Sequence, residues 1–281
     1  MKRKTIVIIC LLIVLGLSVA GFLADNRTEE INADEDYSPY VPSNISNSEN
    51  NSSQEIKSTL TGKKIVYDGD SICSSWGESI NGGSYPKIIA DTVDGTYDNQ
   101  GVGGGVFISH DTSHSIVDNL TNLPTDGDLY CFEGGVNDYS IAAPLGNFSP
   151  TDYNNELDTT TFCGAVEQVC RYSMENFVGK PICFIIVHKC PYCAFMPNDI
   201  GLTFADYREK MIAILEKYSI PYYDAFKESG LNGMNEVHKA NYFIIDEKTG
   251  TGDGWHPNEE GYRRYYVPQL IALFEKIMPV E

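Results

Sequence analysis

Residues 63–71 read KKIVYDGDS. Ile65, Val66 and Tyr67 form an apolar, partly β-branched run, which reads as a buried strand. The run breaks at Gly69, and an acid, a hydroxyl and then a thiol follow: Asp70, Ser71 and Cys73. Gly-Asp-Ser alone is ordinary turn chemistry. Whether Ser71 only closes a turn or stands as a nucleophile at a strand's carboxyl end depends on the rest of the chain.

From residue 63 onward, short apolar runs alternate with helical patterns. KKIVYD, TYDNQGV, DLYCFEGG, PICFIIVHK and IPYYDAF read as five strands. YPKIIADTV, SHSIVDNL, LDTTTFCGAVEQVCRYSMENF and TFADYREKMIAILEKYS read as helices between them. A last helix, EEGYRRYYVPQLIALFEKI, contains Pro268, which is expected to kink or interrupt it. Alternation of this kind predicts an α/β fold with a flavodoxin-like, doubly wound parallel sheet of five strands. Ligands in such sheets bind beyond the carboxyl ends of the strands.

Four motifs fall at such positions. Gly69-Asp70-Ser71 follows the first strand, and Asn99-Gln100-Gly101-Val102-Gly103-Gly104-Gly105 the second. Gly135-Val136-Asn137-Asp138 follows the third, and Asp253-Gly254-Trp255-His256-Pro257-Asn258 precedes the last helix. Each has a bland reading as turn chemistry, and Asn258 fits a helix N-cap. Together they supply the parts of acyl transfer. A serine hydroxyl needs an adjacent base. An acid three residues before His256 can hold its Nδ1 and aim Nε2 at Ser71. The Ser71 amide, the Gly104 amide and the Asn137 side-chain amide are candidate donors to an oxyanion.

In these four blocks the sequence resembles the SGNH/GDSL hydrolase family. GDS at 69–71, GVGG at 101–104, GVND at 135–138 and DGWH at 253–256 stand in that family's order. The resemblance runs from about residue 63 to the final helix. It implies a three-layer α/β/α fold, ester hydrolysis through an acyl-enzyme, and neither metal nor cofactor. Carried over by position, it makes Ser71 the nucleophile, His256 and Asp253 the rest of a triad, and Ser71, Gly104 and Asn137 the oxyanion hole. Gly103 stands where the family often has a serine, which leaves the second oxyanion amide open by one residue. Two long segments, 140–155 and 227–251, are expected to overhang the site and set specificity.

Outside that region the sequence is of another kind. MKRK followed by an uncharged apolar run to Leu23 reads as a signal peptide or an N-terminal membrane anchor, with a small-x-small pattern at Ser18-Val19-Ala20. Residues 24–60 are polar and rich in Asn and Ser, which suits a disordered linker; Asn26, Asn44 and Asn51 lie in glycosylation sequons. Residues 61–281 form the expected hydrolase domain. The formal charge of −19 argues against nucleic acid as a partner and against anionic membranes, leaving the N-terminal segment as the membrane contact. The expectation is an exported, cell-surface serine esterase for small-molecule or glycan esters, such as O-acetyl groups on carbohydrate. A surface carbohydrate-binding module and an acyltransferase are the alternatives.

Of eight cysteines, Cys10 lies in the N-terminal segment, and the odd remainder argues against a full disulfide framework. Cys190-Pro191-Tyr192-Cys193 suits a local disulfide or paired thiols better than a metal or redox site. Cys73, Cys131 and Cys183 read as packing groups. His110 and His114 have the i, i+4 spacing of metal ligands but no third ligand nearby. His188 reads as a satisfied structural histidine; Trp76 and Tyr85 suit the core as well as a substrate rim.

Overall fold

The protein is described by a computed structural model that covers residues 57–74 and 83–279. The N-terminal segment, nearly all of the linker and Trp76 lie outside the described residues. Ser58 and Leu60 pack on the domain. Leu60 is fully buried, and Ser58 Oγ donates to Glu275 Oε1 at 2.6 Å.

Five parallel strands form the central sheet, in the order β2-β1-β3-β4-β5. They are β1 (Lys64–Asp68), β2 (Thr96–Asn99), β3 (Leu129–Gly134), β4 (Ile182–Ile186) and β5 (Tyr222–Asp224). β3 is buried along its whole length, as a central strand covered on both faces must be. The order steps outward from β1 in both directions, so the switch point lies between β1 and β3, where a doubly wound sheet opens its crevice.

Helices flank the sheet in two groups, giving the three-layer α/β/α architecture. One group holds α1 (Tyr85–Val93), with α8 (Glu259–Tyr265) and α9 (Val267–Ile277) packed on it. The other holds α2 (Ile116–Asn119), α4 (Phe162–Asn176) and α5 (Phe204–Lys217). Each group buries its own aromatic cluster. Tyr85 stacks on Tyr266 at 5.7 Å and meets Tyr67 and Tyr262 edge-on or tilted. Phe107 stacks on Phe184 and meets Phe162, which in turn meets Tyr207. Each large apolar side chain so buried contributes roughly 1.5–3 kcal/mol.

Helix ends follow local chemistry. Thr203 and Asp206 form a capping box at α5, and Asn258 Oδ1 accepts from Gly261 N at 2.9 Å to cap α8. The last helix is interrupted as Pro268 predicts. α8 ends at Tyr265, and Pro268 sits in the first turn of α9, where no amide donor is required.

Some expectations need correction. SHSIVDNL yields only the four-residue α2, and the LDTTT stretch is not helical because Thr161 caps α4 at Phe162. The segment carrying DGWH is a strand, β7 (Thr251–Pro257). It pairs antiparallel with β6 (Phe243–Asp246), which follows α7 (Glu236–Tyr242) inside the insertion.

Candidate active site

β1 ends at Asp68 and delivers Ser71 into a turn closed by Ser74 N donating to Asp70 O at 2.9 Å. The side chain of Asp70 adds a second closure, its Oδ1 accepting from Ile72 N at 2.8 Å. Ser71 is left partly exposed while its neighbours Asp70, Ile72 and Cys73 are buried.

The β7 segment supplies the partner. Asp253 Oδ1 accepts from the amides of Trp255 and His256, at 2.8 and 2.9 Å, which folds the carboxylate back over its own turn. The other oxygen, Oδ2, lies 2.6 Å from His256 Nδ1. His256 Nε2 then lies 2.9 Å from Ser71 Oγ, across 185 residues of sequence. Gly254 makes this turn possible. Its φ of +75° is a left-handed conformation, and a Cβ there would meet Gly233 O at 2.4 Å and Pro191 at 2.7 Å. The insertion and the Cys190–Cys193 turn thus brace the histidine from behind.

The glycine loop after β2 packs on the Ser71 turn through Val102 N, which donates to Gly69 O at 3.0 Å. Gly104 adopts φ +79° facing open space. Among the described residues, the amides of Ser71 and Gly104 have no acceptor, as oxyanion donors require. Asn137 opens α3 (Val136–Ser140), directly after β3. Its Nδ2 donates to Gly105 O at 3.0 Å and faces Asp70 Oδ2 at 3.3 Å, so this amide is already engaged. The structure brings Ser71, His256 and Asp253 together in one hydrogen-bonded row, and ties Asn137 to the loops on either side.

Two acids near the site carry no role in the sequence reading. Asp138 is buried and accepts from the Phe107 and Ile108 amides, pinning the segment after the glycine loop; burial pushes it up to about 7 against those bonds. Glu133, on β3, is buried below the Ser71 turn. The letters N-D of GVND hinted at the first; nothing distinguished Glu133 inside an apolar run.

The remaining candidates fall elsewhere. His114 Nε2 lies 2.7 Å from Asp68 Oδ1, and His110 Nδ1 accepts from the Ser113 amide, so the two do not share a helix face. Among the described residues no cluster of His, Cys, Asp and Glu side chains is arranged to hold a metal. His188 is buried with Nδ1 2.7 Å from the Tyr266 hydroxyl. Burial, then the nearby His256, push it down to about 3, so it stays neutral. Cys190 and Cys193 are buried free thiols without a disulfide, Cys193 Sγ donating to Cys190 O at 3.2 Å. Cys73 is buried, its Sγ 3.4 Å from Asn99 Oδ1, and Tyr85 lies in the core. Among the described residues no helix is long and apolar enough to cross a membrane.

Neither a family profile nor a curated protein matches the sequence. Solved structures do. A Lactobacillus plantarum protein is 24% identical, with a TM-score of 0.65 over 77% of this chain and 98% of that one. A protein described as a possible lipase, from Chitinophaga pinensis, is 16% identical, with a TM-score of 0.58 over 76% and 98%. A protein described as a GDSL-like lipase, from Bacteroides ovatus, is 16% identical, with a TM-score of 0.51 over 77% and 99%. The chain therefore has the fold of the SGNH/GDSL hydrolases.

Proposed function

We propose that the protein is a serine esterase that cleaves carboxylic esters through an acyl-enzyme, with Ser71 as nucleophile. The observation that carries this reading is the continuous row from Asp253 Oδ2 to His256 Nδ1 at 2.6 Å and from His256 Nε2 to Ser71 Oγ at 2.9 Å. His256 takes the Ser71 proton as Oγ attacks the ester carbonyl. Asp253 fixes the ring's tautomer and stabilises the imidazolium. The developing oxyanion meets the amides of Ser71 and Gly104. The Asn137 side-chain amide, held beside them by Gly105 O and Asp70 Oδ2, is the third candidate donor. The imidazolium then protonates the leaving alcohol, and a water deprotonated by His256 releases the acid.

The lipase-like neighbours support ester chemistry on this fold. The basic then apolar first 23 residues and the polar stretch behind them support export and a surface location. Together with the acidic composition they favour short-chain acyl groups on carbohydrate as substrates. The test is turnover of p-nitrophenyl acetate and of acetylated xylan by the purified full chain, with fluorophosphonate labelling of Ser71 mapped by peptide mass. Absence of both turnover and labelling would sink the proposal.

A further inference from the structure

Glu133 has no part in the steps above, yet it lies directly under them. It is the fifth residue of β3, the central strand, and has no solvent exposure. Its Oε2 accepts from the Asp70 amide at 3.4 Å, which sets the two side chains close enough for each carboxyl to act on the other. Gly69 leaves room for the same oxygen, since a Cβ there would come within 2.9 Å of it. Its Oε1 has no partner among the described residues.

The groups facing Glu133 are Asp70 and Cys73 from the nucleophile turn and Tyr85 from α1. Tyr262 and Tyr266, from α8 and its end, and Cys131 and Cys190, from β3 and the segment after β4, lie within electrostatic reach of it. None of them is a cation; among the described residues the one basic group that acts on the pair is His256 on β7, through Asp70. A carboxylate stripped of water and of countercharge is costly, so such an acid keeps its proton. Burial first, then the Asp70 charge, raise Glu133 well above the usual carboxylate range, whereas burial brings Asp70 up only to about 6.

We propose that Glu133 is a positioning residue that keeps its proton and donates it to the Asp70 carboxylate, so that Asp70 fixes the nucleophile turn and the Asn137 amide together. Asp70 is the joint between these parts. Its Oδ1 takes the Ile72 amide, one residue past the nucleophile, and its Oδ2 faces Asn137 Nδ2. Both contacts need a carboxylate in one fixed orientation, and a neutral donor behind it supplies that without a second charge. At alkaline pH, loss of the Glu133 proton sets two carboxylates against each other, and the turn and the amide lose register.

The kinetic part of this inference rests on the esterase reading; the protonation of Glu133 does not. Glu133→Gln keeps a neutral donor, and Glu133→Leu removes it. Expected are a kcat for E133Q within about threefold of wild type, without the wild-type decline at alkaline pH, and a loss of about 10- to 100-fold in kcat for E133L at nearly constant KM. Infrared spectra of the wild-type full chain at neutral pH should contain a protonated-carboxyl stretching band that E133Q lacks. Should E133L fail to fold, the E133Q pH profile and the infrared band decide. The inference is overturned if that band is absent, if E133Q keeps the alkaline decline, or if E133L turns over like wild type. Should no ester be cleaved by the wild type, the esterase reading fails alone, and the infrared band still decides the state of Glu133.

Discussion

Two buried glutamates, Glu133 on β3 and Glu167 on α4, are handled in opposite ways. Glu167 Oε1 accepts from Lys217 Nζ at 2.6 Å, the Tyr218 hydroxyl at 2.8 Å and Arg171 at 2.9 Å. Burial alone would push this carboxyl up, but those bonds outweigh it and hold it below the usual range. Lys217 is itself only 1% exposed and gives further hydrogens to the carbonyls of Ser149 and Asp152, fastening the long loop after α3. Glu133 has no cation to meet and only Asp70 beside it. On α4 the scaffold matches a buried charge with partners. Beneath the Ser71 turn it leaves a buried carboxyl without a cation, so that the neutral form is favoured, and perturbed acids of that kind concentrate where chemistry is done.

If the contrast holds, damage at the two places should separate activity from stability. The largest effect belongs to Ser71→Ala, which should lower turnover of p-nitrophenyl acetate about 10⁴-fold or more while leaving the melting temperature near wild type. Lys217→Met should do the reverse. Leaving Glu167 with Arg171 and Tyr218 but without its lysine should cost about 1–3 kcal/mol in denaturant unfolding, with kcat per folded molecule kept. Asn137→Ala should cost about 10²- to 10³-fold in kcat with a small effect on KM, as for loss of one oxyanion donor. An unchanged kcat would remove Asn137 from the oxyanion hole and leave the two backbone amides alone.

The smallest effect is a pH slope. His188 is neutral when folded and titrates near 6.5 when unfolded. Its folded pKa is depressed, so its contribution is whole above about pH 6.5 and is lost as pH falls from there toward 3. The slope approaches about 1.4 kcal/mol per pH unit. Urea unfolding of wild type and His188→Gln between pH 7.5 and 4.5 should show their stability difference shrinking as the pH falls. A constant difference would mean that His188 matters only through packing.

How much of this was legible in the sequence varies by region for physical reasons. β1, β3 and β4 announce themselves because a strand buried on both faces must be a continuous apolar run. The four motifs were readable because glycines, acids and the histidine cluster where strands end. The β6–β7 ribbon was not. FIID is short and lacks alternation, and its pairing to residues 251–257 is fixed by contacts across the insertion. The brace of Gly254 by Gly233 and Pro191 is equally non-local. Glu133 was hidden because a titratable group inside an apolar run carries no sign of what faces it. The Cys190–Cys193 spacing left a local disulfide or paired thiols open, and the structure holds the second, two buried free thiols side by side.

Ser71 and His256 stand 185 positions apart and share a hydrogen bond. A chain still being synthesised, or clipped anywhere between them and parted, carries a hydroxyl with no base to activate it. Closing so long a loop is entropically slow, and the whole parallel sheet has to be threaded first. On the esterase reading, labelling of Ser71 by a fluorophosphonate would therefore time the end of folding, and the protein would stay inert toward esters until its architecture was finished.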